Sequence, residues 1–193
     1  MILRSLPLSA LLWLTGCFST HLVNDEPINE LVQLVESAQH QLSLTVTNPL
    51  AESSHGHQFM LGLLPVTRVF PDAARDIVVA KLQLHAGQAG LGLPENARAP
   101  IDRPHLEVAI RAISTDGYDL IVVRRPSASI KLYGTAYLPD QTTRVCVASG
   151  EHSEIKRFAF AADLTQVLSV AADMAAKRLL ECLGVIDSQS IAE

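Results

Sequence analysis

Ala128-Ser129-Ile130-Lys131-Leu132-Tyr133-Gly134-Thr135-Ala136-Tyr137-Leu138 sets small and apolar residues at even positions and polar or amphipathic ones at odd positions. A period of two over this length is a β-strand with one face on a core and one in water. The pattern extends both ways. Upstream, Leu106, Val108, Ile110 and Ala112 alternate with Glu107, Ala109, Arg111 and Ile113. Asp116-Gly117 then predicts a hairpin turn, because Gly accepts positive φ. Residues 118–124 read as the apolar return strand, and Pro126-Ser127 as the next corner. Downstream, Pro139-Asp140 predicts another turn, and residues 142–148 and 155–161 complete an antiparallel meander. Short connections favour such sequential pairing.

The meander needs something to cover its apolar face. Leu164, Val167, Leu168, Ala171, Ala175, Leu179 and Cys182 form one stripe of a long C-terminal helix. Asp163 stands where an N-cap belongs, with Gln166 three residues on. Lys177 and Arg178 sit toward the C-terminal end, and Gly184 is placed for a C′ residue. Before the meander, Pro27 opens a helix with Ile28, Leu31, Val32 and Val35 on one face, ending by His40. Residues 41–47 alternate as a half-buried strand that Asn48-Pro49 breaks. Residues 51–57 read as a polar loop, and 59–70 as an edge or kinked strand interrupted by Pro65. Residues 72–89 show both a strand alternation and a helical stripe of Ala74, Val78 and Leu82. Alanine content and Gly87/Gly90 favour the helix, with Asp72 as its cap. Residues 93–104 are a proline-rich loop. The expected fold class is therefore α+β: an antiparallel β-meander sheet packed against a long C-terminal helix and a second helix.

The front of the chain carries an address. Arg4 precedes a short apolar run over residues 6–14, followed by Leu14-Thr15-Gly16-Cys17. The run is too short to span a bilayer, which takes about 20 apolar residues, and it has the form of a secretory signal. The Leu-Thr-Gly-Cys ending resembles the lipobox of bacterial lipoproteins. That resemblance implies cleavage after residue 16, acyl chains of the palmitate type on Cys17, and a membrane anchor. Phe18 stands where enteric-type sorting places Asp to retain a lipoprotein in the inner membrane, so the resemblance implies the outer membrane, with the domain facing the periplasm. The expected organisation is a signal peptide over 1–16, a tether over 17–26, one domain over 27–184 and a flexible tail over 185–193. Element order, size and lipobox resemble small periplasmic lipoproteins of the YajG and transport-auxiliary types. This likeness carries no functional residues over.

The formal net charge is −5. An acidic chain lacks the basic footprint that nucleic acid requires, and no polybasic stripe offers itself to anionic lipid. Besides Cys17 the chain has Cys146 and Cys182, an even pair for an oxidising compartment. Two arrangements stay open, a disulfide or two separate thiols. In Thr143-Arg144-Val145-Cys146-Val147, the valines occupy one face and Cys146 the other. If the last helix packs on the valine face, the sulfurs fall on opposite sides of the sheet.

Candidate chemistry is sparse. His55-Gly56-His57, with Glu52 nearby, is the closest histidine pair. A metal site needs three or four ligands, and a solvated loop is the simpler reading. No metal or cofactor is expected. Arg124 and Arg125 are neighbours on a strand and so point to opposite faces. Lys131, Tyr133 and Tyr137 share a face with Thr135. Together these five residues, Arg124, Arg125, Lys131, Tyr133 and Tyr137, are the candidate partner surface. Arg68 is a charge within an apolar run, with Asp72 as a candidate partner. There is no Gly-x-Ser-x-Gly elbow, His-Glu-x-x-His or phosphate-binding glycine loop, and His152-Ser153 is not a triad. No catalytic residue is assigned. The leading expectation is a non-enzymatic outer-membrane lipoprotein acting as an accessory or scaffold subunit of an envelope assembly, with a protein partner and no nucleic acid. The alternatives are a carrier of lipid or apolar ligand, with a pocket lined by Val122, Ile130 and Leu168, and a periplasmic hydrolase or glycan-acting enzyme.

Overall fold

Two long strands organise the molecule. In a computed structural model, β7 (His105–Leu120) and β8 (Val123–Tyr137) pair antiparallel from His105 opposite Tyr137 to Leu120 opposite Val123. The structure describes residues 19–21, 40–50, 55–60, 64–96, 104–120, 123–138, 140–155 and 161–186. The leader, Cys17, the helix expected before His40 and the tail from 187 lie outside the described residues.

The remaining described strands are β1 (Ser19–His21), β2 (His40–Gln41), β3 (Ser43–Thr47), β4 (His57–Met60), β5 (Leu64–Phe70), β6 (Leu91–Gly92) and β9 (Thr143–Ser153). The main sheet is open and has seven strands, in the order β1-β5-β4-β7-β8-β9 with β3 also beside β7. β3 pairs with the start of β7 and β4 with its end. β2 and β6 form a separate two-stranded piece. The β7–β8–β9 half is the expected antiparallel meander. The sheet as a whole is mixed, because β1 runs parallel to β5, and β3 and β4 parallel to β7.

Asp116-Gly117 and Pro126-Ser127 do not turn the chain. They lie inside β7 and β8 and face each other across the ladder, and the chain reverses between Leu120 and Val123. Neighbouring strands hold the segment extended. The Asp116 carboxylate accepts from the Ser114 hydroxyl at 2.7 Å and from the His57 amide at 3.0 Å. The Pro126 carbonyl accepts from the Glu154 amide at 3.1 Å. The proline ring nitrogen therefore also points toward the β9 side, past the last β8–β9 register at Ser127–Ser153, and the β7 ladder loses no donor.

A register shift between Ile110 and Ala112 moves the buried phase of β7 from even to odd positions. Ala112 is exposed and Ile113 is buried, the reverse of simple alternation. Of the strand expected over 155–161, Ile155 follows β9 and is 77% exposed and Ala161 is already helical, while residues 156–160 lie outside the described residues. Residues 19–21, read as tether, are strand β1.

Helices α1 (Ala74–Gln88) and α2 (Ala161–Cys182) cover one face of the sheet. Asp72 does not cap α1. Ala73 holds that position, and the Ala74 amide reaches the Pro71 carbonyl at 2.9 Å instead. Ile77, Val78, Val79 and Ala80 are all buried, so this turn is apolar nearly all round, which explains its strand-like alternation in sequence. Asp163 lies inside α2 and so is not its cap. Gly184 ends the helix with φ +64°. The Val185 amide reaches the Leu180 carbonyl and the Gly184 amide that of Glu181, the bonding of a Schellman cap.

α2 rides over β8 and β9, and its stripe Leu164, Val167, Leu168, Ala171, Ala175 and Leu179 is buried. It packs on the Arg144–Cys146–Ala148–Gly150 side of β9, not on the valine side. Small residues decide this. A Cβ on Gly150 would stand 1.9 Å from the Ala171 carbonyl oxygen, and one on Gly134 would stand 3.0 Å from Leu179 and Leu183. Only the even face lets a helix backbone come so close. Cys146 therefore faces α2, and Cys146 and Cys182 are joined in a disulfide with Cα atoms 6.2 Å apart.

Candidate interaction surface

The other face of the main sheet carries no described helix. Alternation places Tyr137, Thr135, Tyr133, Lys131, Ser129, Ser127 and Arg125 of β8 on it. Register brings Val145 and Val147 of β9 beside Thr135 and Tyr133. Val145 is 55% exposed and Val147 51%, side chains that a core-facing reading would have buried. The Arg111 guanidinium carbon lies 5.3 Å from the centre of the Tyr133 ring, within cation–π range. The Tyr137 ring stacks on His105 with centroids 4.3 Å apart, and His105 Nε2 lies 3.5 Å from Glu107 Oε1. This end of the face thus joins two tyrosines, two valines and an arginine. Such a mixture of apolar area with polar tips suits protein contact.

The opposite end of the same face has different chemistry. Phe59, Tyr118 and Arg125 stand side by side on β4, β7 and β8. The Phe59 and Tyr118 rings stack at 4.9 Å with only 5° between planes. Between the two ends lies an open polar depression of about 540 Å³ lined by Ser114, Asp116, Arg125, Ser127, Glu151 and Ser153 among others. His152 also lines it and is held by Glu154 Oε1 at 3.1 Å. Two carboxyls elsewhere sit below the ordinary range. Asp140 accepts from the Thr142 hydroxyl and amide. Asp173 accepts from His85 Nε2 at 3.0 Å, between α1 and α2. Neither lines the depression.

The five residues of the predicted surface do not form one site. Lys131, Tyr133 and Tyr137 share the helix-free face with Arg125, which lies at the far end of β8 from Tyr137. Arg124 is in register with Asp119 on β7 and one position out of phase with the set. His55-Gly56-His57 is not a solvated loop. The Val69 amide donates to the Gly56 carbonyl and the Thr115 amide to that of His55, so the segment bridges β5 and β7. A Cβ on Gly56 would meet the Thr115 carbonyl oxygen at 1.7 Å, which is why glycine is needed there. Among the described residues no group of three His, Cys, Asp or Glu side chains is placed to hold a metal. Arg68 is exposed on β5. Sequence reasoning did not single out Val145 and Val147 as surface, having left open which face of β9 meets the last helix. The usable signal was Ala148 and Gly150 on the opposite phase.

These features define a two-layer α+β domain with an open mixed sheet, helices on one face and an exposed strip on the other. No family model and no curated protein sequence matches the chain. Among solved structures, a protein from Xanthomonas campestris is similar over 84% of this chain and 91% of its own, with 15% identity and a TM-score of 0.44. Rare lipoprotein B from Shewanella oneidensis covers 74% of this chain and 94% of its own, with 10% identity and a TM-score of 0.37. A minor lipoprotein from Acinetobacter baumannii covers 74% and 90%, with 8% identity and a TM-score of 0.40.

Proposed function

We propose that the chain is an outer-membrane lipoprotein, acylated at Cys17, whose domain faces the periplasm as a non-catalytic accessory or scaffold subunit of an envelope assembly. The observation that carries this reading is the strip of exposed Val145, Val147 and Tyr137 with half-buried Tyr133 among them, on a face no described element covers. A helix-packed domain that leaves valines in water opposite its core has a second surface to fill. The leader and lipobox supply the address. The Cys146–Cys182 disulfide suits an oxidising compartment. No helix among the described residues is long and apolar enough to cross a membrane. Of the residues named for an apolar-ligand pocket, Ile130 and Leu168 are buried in the continuous core and Val122 lies outside the described residues.

Two measurements test the proposal. Cells fed an alkyne fatty acid label the protein, and Cys17→Ala abolishes the label. A photo-crosslinking residue at Val147 gives one discrete adduct with an envelope protein, whereas the same residue at Gln88 on α1 gives none. Tyr133→Asp removes the adduct. Equal adduct patterns from the two positions, or none from Val147, overturn the partner reading.

A further inference from the structure

We infer that the polar depression on the helix-free face of the sheet is a binding site for a neutral oligosaccharide. Its residues stand apart from the strip of Tyr133, Val145 and Val147, and the inference does not depend on acylation of Cys17.

Register builds the floor. Asp116, Ser127 and Ser153 form one row across β7, β8 and β9, and Ser114, Ser129 and Glu151 form the next. All six line the depression, whose volume of about 540 Å³ falls within the range of small-ligand clefts, about 300–1,000 Å³. Four of the six are serines, and their short side chains make a hollow between longer neighbours. The row on one side holds Tyr118 and Arg125, and the row on the other holds exposed Lys131. Phe59 covers one face of the Tyr118 ring, with centroids 4.9 Å apart and 5° between planes. The other ring face is left toward β8 and the depression.

The chemistry of the lining selects the ligand. An apolar molecule would strip water from this floor and leave its polar groups without partners. An anion meets two carboxylates, Asp116 and Glu151, against the one guanidinium of Arg125. A cation meets Arg125, and among the described residues no group of three His, Cys, Asp or Glu side chains is placed to hold a metal. A sugar hydroxyl both donates and accepts. It donates to a carboxylate, accepts from the guanidinium, and does either with a serine, whose own hydroxyl rotates to suit. Asp116 is already aimed. Its carboxylate takes the Ser114 hydroxyl at 2.7 Å and the His57 amide at 3.0 Å, which fixes the direction of the lone pairs that remain. A sugar ring also has an apolar face of C–H groups, and the open face of Tyr118 offers the matching apolar area beside the hydroxyl-rich floor.

The test uses the full processed chain in a polyoxyethylene detergent, which has no sugar headgroup. Saturation-transfer NMR is run with chitotetraose, cellotetraose and maltotetraose, with tetragalacturonate as the anionic control and spermidine as the cationic one. At least one neutral tetrasaccharide receives saturation, and transfer to both controls is weaker. Binding of chitotetraose alone marks an N-acetylglucosamine chain as the source, and binding of the other two marks a glucan. Glu151→Ala and Tyr118→Ala each weaken the binding by at least about tenfold, while Val147→Ala leaves it unchanged. Two site variants are used so that one misfolded protein, recognised by its thermal melt, leaves the other to decide. A chain that binds none of the neutral tetrasaccharides, or binds a control more strongly, overturns the inference. Undiminished binding by the folded site variants overturns it too. The Val147 adduct is read separately, so either failure leaves the partner reading standing.

Discussion

Gly150→Ala tests whether α2 sits on β9 at backbone contact distance. The added Cβ would lie 1.9 Å from the Ala171 carbonyl oxygen and 2.9 Å from the Ala175 amide nitrogen. Both are main-chain atoms inside a helix and cannot swing aside, so α2 must lift by more than about 1 Å. Its neighbours Leu168, Ala171, Ala175 and Leu179 are fully buried, and its far end is pinned to β9 by the disulfide. Overpacking of this kind costs about 1–3 kcal/mol, and the pinned helix argues for the upper part of that range. For a domain of this size that lowers Tm by about 6–12 °C. Gly117→Ala is the control. Its nearest contacts are the Gln58 and Leu164 side chains at 3.6 Å, ordinary packing. Reduced freedom of the unfolded chain should leave it neutral or more stable by about 0.4–1 kcal/mol. Thermal unfolding of the oxidised proteins, followed by circular dichroism, makes the comparison. If Gly150→Ala melts with the wild type, or Gly117→Ala falls as far, the proposed packing is wrong.

The disulfide closes a sequence separation of 36, worth about 4 kcal/mol by loop-closure entropy, so the Cys146→Ala/Cys182→Ala pair lowers the urea midpoint markedly; an unchanged midpoint contradicts the bond. The hydrogen bond from His85 holds Asp173 below its ordinary 3.8. A depressed carboxyl contributes stability above its unfolded pKa and loses it as pH falls through the folded value, so the advantage of wild type over Asp173→Asn shrinks in parallel melts as the pH is lowered past 3.8. A pH-independent gap would remove that account. Leu168→Ala costs about 2–5 kcal/mol in urea titration, while Val147→Ala stays within about 0.5, and equal costs would mean the sheet face has been read the wrong way round.

Much of the fold was legible because period dominated. The even face of β8 and the stripe of α2 were named residue by residue and are buried, apart from half-buried Leu138 and exposed Cys182. What failed was punctuation. Asp116-Gly117 and Pro126 carry strong local turn signals, yet pairing on both sides of the hairpin keeps them extended. The face of β9 that meets the helix stayed open for another reason. Hydrophobicity points to Val145 and Val147, but an alanine-rich helix at close range needs Ala148 and Gly150 beneath it, and sterics outweigh apolar area there. The parallel partners β1, β3 and β4 join β7 and β5 across long separations that periodicity does not encode. The site fared similarly. The residue types were singled out, but only strand length shows that Arg125 and Tyr137 belong to different places.

That separation has a consequence for how the molecule works. Arg125 and Tyr137 are twelve positions apart on β8, about 40 Å of strand. The polar end around Arg125 and the strip of Tyr133, Val145 and Val147 are therefore separate surfaces, and a substitution in one should leave the contacts of the other unchanged. Arg125→Ala keeps the adduct from a photo-crosslinking residue at Val147 at wild-type yield, whereas Tyr133→Asp removes it. Loss of the adduct in both variants would mean that the two ends of the strand act as one surface.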